Sequence, residues 1–256
     1  MKKKPFIRPG YIVPALFSGF GNLVAGQSLR TGGTSLPPYA SLNAGFATGD
    51  NPAVINNNIA LLCDELAIEP RQLAWSEQVH GTSILEVTAP GAYRGYDALI
   101  TSVADIYLSI FTADCYPVLV YDPVHLAVGA VHAGWKGTAG EIVVKTVSLM
   151  QRRFNTCPEN CLAYIGTGIS QPAYEVSRET SVLFPASCRI ASPGGDDAFM
   201  LDLAQANHEQ LLSSGIPDKN IERSPFCTCR NADLFYSYRR DEGKTGRMVS
   251  LIGIRA

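Results

Sequence analysis

Histidine is scarce in this chain. His80, His125, His132 and His208 are the whole supply in 256 residues. Chemistry that needs several histidine-rich metal clusters is thereby excluded. An excess of either charge is lacking too: 21 Lys and Arg face 23 Asp and Glu, for a formal net charge of −2. Such a chain has no global field to draw in nucleic acid or an anionic membrane. The basic run Met1-Lys2-Lys3-Lys4 reads as part of a flexible, solvated tail over residues 1–12. The segment from Pro5 to Val24 is broken by Arg8, Pro9, Pro14 and glycines, so it lacks the uninterrupted ~7–15-residue apolar region of a signal peptide. No stretch offers the ~20 apolar residues of a membrane helix. The chain reads as cytoplasmic, with neither membrane nor nucleic acid as a partner.

Repeats, low-complexity tracts and linker-like shifts are also absent, so residues 1–256 read as a single domain. Seven cysteines are present, but the close pairs Cys157/Cys161 and Cys227/Cys229 lack the C-x2-C spacing of a zinc knuckle. A chain this long does not need disulfide staples. The cysteines read as reduced thiols.

What the chain does have is a core: 46% of its residues are hydrophobic. Short apolar and β-branched runs predict strands over 73–79, 83–87, 98–101, 106–112, 117–121, 126–132, 161–166, 235–238 and 248–254. A 3.6-residue period predicts helices over 51–66, 140–154 and 202–212, the first capped by Asp50 or Asn51. The sum is a mixed α/β domain with a largely buried mixed sheet flanked by helices.

Two of the histidines share a setting. His80 ends the run from Leu73 and precedes Gly81; His132 ends the run from Leu126 and precedes Ala133-Gly134-Trp135. Cys115 follows Ile106 to Asp114, and Pro117 is expected to stop the strand there because it lacks a donor. Strand ends are where a rigid sheet presents functional groups. Position alone is equally met by two hydrogen-bonded histidines and a buried thiol, the commoner fate of such residues. If the three converge, two imidazoles and a thiolate suit Zn²⁺ with a fourth position open. Asp114 would then serve as a hydrogen-bond or proton acceptor beside the metal. His125 reads as a turn residue and His208 as exposed on a helix.

Cations gather near the end of the chain, where Arg239, Arg240, Lys244 and Arg247 sit among glycines. They fit either an exposed charged hairpin or a flap that grips phosphate or carboxylate. Arg30-Thr31-Gly32-Gly33 and Gly134-Trp135-Lys136-Gly137 are further candidate anion sites.

The blocks Gln78-Val79-His80-Gly81, Thr112-Ala113-Asp114-Cys115-Tyr116-Pro117-Val118, His132-Ala133-Gly134-Trp135-Lys136-Gly137, Tyr174-Glu175-Val176 and Ser237-Tyr238-Arg239-Arg240-Asp241, in this order, resemble the YfiH/YlmD-like family. That family is also called the laccase-domain or polyphenol-oxidase family. The resemblance runs over nearly the whole chain, from Arg30-Thr31-Gly32-Gly33 and Ser41-Leu42-Asn43 onward. It implies a family-specific α/β fold, with zinc on His80, Cys115 and His132. It further implies phosphorolysis of adenosine, inosine and methylthioadenosine, with adenosine deamination as a side activity. Phosphate would fall to Arg30, Lys136, Arg239 and Arg240, and ribose or base to Asn43 and Glu175. Relatives often carry cysteines just before the Tyr-Glu-Val block, where this chain has Pro172 and Ala173.

Two other readings are weighed beside this one. A copper polyphenol oxidase would combine a His2Cys copper with a histidine-rich cluster, and four histidines do not suffice for both. Cu²⁺ in the same His/Cys/His site remains chemically acceptable. A non-enzymatic small-ligand binder with structural zinc would need a fourth protein ligand, and the blocks offer none.

Overall fold

The computed structural model describes residues 6–8, 10–195 and 197–256. Its strands, numbered in chain order, form three sheets. The first runs in spatial order Phe6–Arg8 (β1), Tyr11–Val13 (β2), Leu23–Ser28 (β3), Met248–Ile254 (β16), Tyr107–Thr112 (β8), Leu73–Glu77 (β4) and Gly91–Arg94 (β6). The second runs Ile221–Arg223 (β15), Leu162–Ile165 (β11), Tyr116–Asp122 (β9), Ala127–Ala133 (β10), Ala98–Thr101 (β7) and Ile84–Glu86 (β5). A small third sheet holds Glu175–Ser177 (β12), Ala198–Leu201 (β14) and Arg189–Ala191 (β13). The helices are Pro52–Glu65 (α1), Trp135–Ala139 (α2), Ile142–Phe154 (α3), Arg178–Ser181 (α4) and Leu203–Ser213 (α5).

The two large sheets stack face to face, because alternate residues of each strand meet different apolar partners. In β10, Val128 and Ala130 pack with Leu108, Ile110 and Ile252 of the first sheet. Ala127, Val131 and Ala133, on the other face, pack with Ile142, Val147 and Met150 of α3 and Leu211 of α5. Across the first sheet, Ile55, Ile59 and Leu62 of α1 cover Tyr107, Val249 and Leu251. The result is four layers: α1, sheet, sheet, then α3 with α5. Each fully buried Val, Leu or Ile contributes ~1.5–3 kcal/mol.

The mixed α/β class holds, but the expected sheet is two stacked sheets plus a small third. The helix caps follow the sequence. Asn51 accepts the Ala53 N–H at 2.9 Å and Asp202 accepts the Gln205 N–H at 2.8 Å. The helix expected from Gly140 starts at Ile142, because Glu141 adopts a left-handed φ of 60° after the short α2. Residues 235–238 are not a strand. A turn on Asn231 leads into them, and Phe235 and Tyr236 bury themselves against Ile12, Leu29 and Met248 without a ladder.

The tail expected over 1–12 is corrected for its later part. Tyr11 and Ile12 are 4% and 0% exposed, in a strand paired with β3. Residues 1–5 and 9 lie outside the described residues. Pro117 does not stop its strand either. It stands second in β9, where its carbonyl accepts the Gly166 N–H at 2.8 Å, so only its own missing donor is lost. No helix among the described residues is long and apolar enough to cross a membrane.

Candidate metal centre

The site lies where three strands end and a fourth begins. β8 stops at Thr112, and Ala113, Asp114 and Cys115 carry the chain into β9 of the other sheet. So short a crossing strains the backbone, and Asp114 takes a φ of 93°. β10 ends beside it, with His132 opposite Pro117 and Ala133 opposite Tyr116. β4 ends at Glu77, and His80 follows with a φ of 58°.

This topology brings His80, Cys115 and His132 together. One ligand atom from each lies within 4.8 Å of the others. The imidazole centroids are 4.7 Å apart at 78°. Metal–nitrogen and metal–sulfur bonds of about 2.0–2.3 Å place ligands on a shell of this scale. His132 is buried, Cys115 half-buried and His80 exposed, so the cluster opens to solvent on the His80 side. Gly134 makes room for it: a Cβ there would lie 2.9 Å from Cys115 Sγ and 3.3 Å from His80 Cδ2.

Asp97 organises the cluster, and sequence reasoning passed over it. Its carboxylate is fully buried, one residue before β7. It accepts the amide N–H of His80 at 2.9 Å and of Gly81 at 2.7 Å, and contacts His132 Nδ1 at 2.8 Å. The signal was an acid placed directly before the apolar run Ala98-Leu99-Ile100. Burial would raise the Asp97 pKa, but these hydrogen bonds and the His132 charge hold it below the usual carboxylate range. Burial likewise works against the Cys115 thiolate. The His132 charge and hydrogen bonds from both histidines outweigh it and bring the thiol down to about 6. Desolvation pulls the His132 pKa down; the Cys115 charge and the Asp97 hydrogen bond more than reverse it. Each group's charge thus favours the other's, a thiolate on Cys115 beside an imidazolium on His132.

The remaining expected site residues divide. Asp114 accepts the Thr228 hydroxyl at 2.6 Å and the Arg239 N–H at 2.7 Å, so it ties two loops to the crossing. Its carboxylate is engaged there rather than with a histidine. Arg239 is exposed, its guanidinium 5.3 Å from the centre of the Tyr174 ring. Burial raises the Tyr174 phenol, the Cys115 charge adds to that, and Arg239 opposes it, which puts all three in one neighbourhood. Lys136 is exposed at the start of α2, over Trp135. Glu175 is exposed on β12 and accepts the Ser192 hydroxyl.

Three more of the expected residues have internal partners. Arg30 donates to the carbonyls of Ala40 and Ala232, which hold it in a loop. Arg240 is neutralised by both oxygens of Asp241 and also donates to Thr228 and Phe235 carbonyls. Asn43 is fully buried and fully engaged, donating to Thr48 and Asp50 and accepting from Gly45 and Arg247. In each case internal hydrogen bonds engage the side chain's polar groups. Of the aromatics near the flap, Phe235 and Tyr236 are core residues, while Tyr238 is 56% exposed. His125 sits in the turn at the far end of β10, bonded to Asp122. His208, expected to be exposed, is largely covered and bonded to Asp218. All seven cysteines are free thiols.

Residues 24–255 match the family model described as multi-copper polyphenol oxidoreductase laccase. The purine nucleoside phosphorylase YlmD of Geobacillus stearothermophilus is 38% identical over 254 residues, covering 92% of each chain. The purine nucleoside phosphorylase YfiH of Escherichia coli is 37% identical over 234 residues, covering 90% of this chain and 93% of its own. The crystal structure of the Geobacillus YlmD superposes with a TM-score of 0.92 at 34% identity, over 98% of both chains. That of Bacillus licheniformis YfiH gives 0.91 at 32% identity, over 97% of both.

Proposed function

The chain belongs to the YfiH/YlmD laccase-domain family, and from that membership and its His–Cys–His cluster we propose that it is a zinc-dependent purine nucleoside phosphorylase. The substrates in this reading are adenosine, inosine and methylthioadenosine, with inorganic phosphate. The observation that carries it is the convergence of His80, Cys115 and His132 within 4.8 Å at the open end of the sandwich. Two imidazoles and a thiolate are a zinc donor set, and three protein ligands leave a position for a ligand from solution. When bound, zinc supplies Lewis acidity at that position.

The chain's own residues bind and orient. Asp97 holds His132 and the His80 turn in place. Asp114 fixes the loop that carries Arg239. Arg239 and Lys136 offer cations at the exposed rim, and Glu175 offers an acceptor for ribose hydroxyls. In phosphorolysis a phosphate oxygen bonds to C1′ as the C1′–N9 bond breaks. The bonding pair leaves with the purine, and the proton of hydrogen phosphate ends on it. Seven free thiols support a reducing, cytoplasmic setting.

The family's oxidase label gains no support from the histidines. His125 and His208 are bonded to Asp122 and Asp218, away from the cluster. The cluster is the only group able to hold a metal among the described residues.

Incubation with adenosine, with and without phosphate, tests the reading. Adenine and ribose 1-phosphate formed only with phosphate is the expected result. Inosine formed without phosphate would make deamination the main activity instead of a side reaction. No product from zinc-loaded protein would overturn the nucleoside reading.

A further inference from the structure

Arg247 was one of several flap cations in the sequence, and the structure separates it from the rest. Met248 pairs with Thr112, so Arg247 lies across from the Ala113–Cys115 crossing. Its backbone is clamped on both sides. The N–H donates to Asn43 Oδ1 at 2.9 Å, and the carbonyl accepts the Ala44 N–H at 3.0 Å. The side-chain stem lies across Gly45, where a Cβ would come within 2.5 Å of Arg247 Cγ. Nη1 donates to the carbonyls of Thr245 and Gly246, each at 2.9 Å. The guanidinium carbon is 5.6 Å from the centre of the Tyr238 ring.

What Arg247 lacks is an acid. Arg240 has Asp241 and Arg223 has Asp202. Among the described residues Arg247 has no carboxylate within ion-pair distance, and its Nε and Nη2 have no acceptor. Yet it is half-buried, and burial works against its charge, opposed by the charges of Cys115 and Asp114. A guanidinium does not shed its proton to escape burial. Orienting it this firmly while leaving one edge unpaired makes sense when an anion from solution completes the pair. That free edge, Nε with Nη2, is the fork that grips two oxygens of one oxyanion.

We propose that Arg247 is the principal anchor for inorganic phosphate, seated between the crossing that carries Cys115 and the Tyr238 flap, with Arg239 as a second cation. The proposal rests on the phosphorylase reading for its choice of anion. Asn43 and Gly45 are then positioning residues that hold Arg247, which accounts for a fully engaged asparagine and a bare Cα at those places.

Inorganic phosphate is titrated calorimetrically into zinc-loaded wild type, Arg247→Gln, Arg247→Lys and Gly45→Ala, and adenosine turnover is followed at varied phosphate. Zinc content and melting temperature are recorded for each protein. Arg247→Gln is expected to weaken phosphate binding and raise its KM by about 10–100-fold, with the adenosine KM within about twofold. Arg247→Lys should fall between, since a point charge remains without the fork. Gly45→Ala should act like a milder Arg247→Gln. Equal phosphate binding by wild type and Arg247→Gln overturns the proposal even if phosphorolysis is confirmed, and so does a wild type that binds no phosphate. If wild type binds phosphate, Arg247→Gln does not, and no sugar phosphate forms, the anion site stands and the phosphorylase reading falls.

Discussion

Asp97 Oδ1 lies 2.8 Å from Nδ1 of His132, and the same carboxylate receives the amide hydrogens of His80 and Gly81. One buried acid therefore positions two of the three candidate ligands. An ionised carboxylate only accepts, so Nδ1 carries the hydrogen and Nε2 would be the nitrogen available to a metal.

Replacing Asp97 by Asn removes the charge but keeps an acceptor for the backbone. Metal affinity should fall about 10–100-fold, and the metal-free protein should melt somewhat lower at neutral pH, because the amide has one acceptor oxygen where Asp97 uses two. Asp97→Ala should lose both, because the His80–Gly81 amides also lose their acceptor. Chelator competition and thermal melts of both variants check this. Unchanged affinity in Asp97→Asn would reduce Asp97 to a structural acid.

Gly134 tests packing around the centre without backbone strain. Its φ of −79° and ψ of 172° suit any L-residue, so alanine meets only the side chains in front of it. The added Cβ would lie 2.9 Å from Cys115 Sγ. Gly134→Ala should lower zinc content to well below one per chain with secondary structure intact. Full zinc occupancy in that variant would contradict the geometry.

The thiol of Cys115 should titrate apart from the others. Neighbouring histidines bring it down to about 6, while burial pushes Cys63 and Cys188 up to about 11. Iodoacetamide labelling of metal-free protein, mapped by mass spectrometry, should rise at Cys115 through about pH 6 and be suppressed by zinc. In His132→Ala the inflection should move upward, and nucleoside turnover should be lost.

Acid stability follows from the depressed Asp97 pKa. The folded carboxyl binds its proton less readily than an unfolded Asp of about 3.9. Its contribution is therefore present above about pH 4 and is lost as pH falls through the folded-state value. As pH falls below about 4, wild type should lose stability more steeply than Asp97→Asn, as read from urea midpoints.

Removing the metal should abolish turnover and spare the fold. The packed clusters between the sheets and under α1 and α3 do not include the three ligands. Circular dichroism of the metal-free protein should match the loaded form, and zinc should restore activity. Unfolding on chelation would instead make the metal structural.

Periodicity and turn chemistry made the three longest helices and the central strands legible from sequence, but not β1–β3, β6 or β12–β15. The α1 and α5 caps, the run 98–101 and the final strand 248–254 all follow from local residue choice. The family blocks also made the His80, Cys115 and His132 cluster legible, although the spacing of these residues did not. What the sequence could not supply was pairing across the sandwich. The Ala113–Cys115 crossing, the His132–Pro117 register and the Asp97 contacts join residues far apart in the chain. The same limit governed the cations: Arg30, Arg240 and Arg247 look alike in a string of letters. Only tertiary structure decides which guanidinium meets carbonyls alone, which meets an aspartate and which is half-buried without an acid, because hydrogen-bond partners are set by proximity in space.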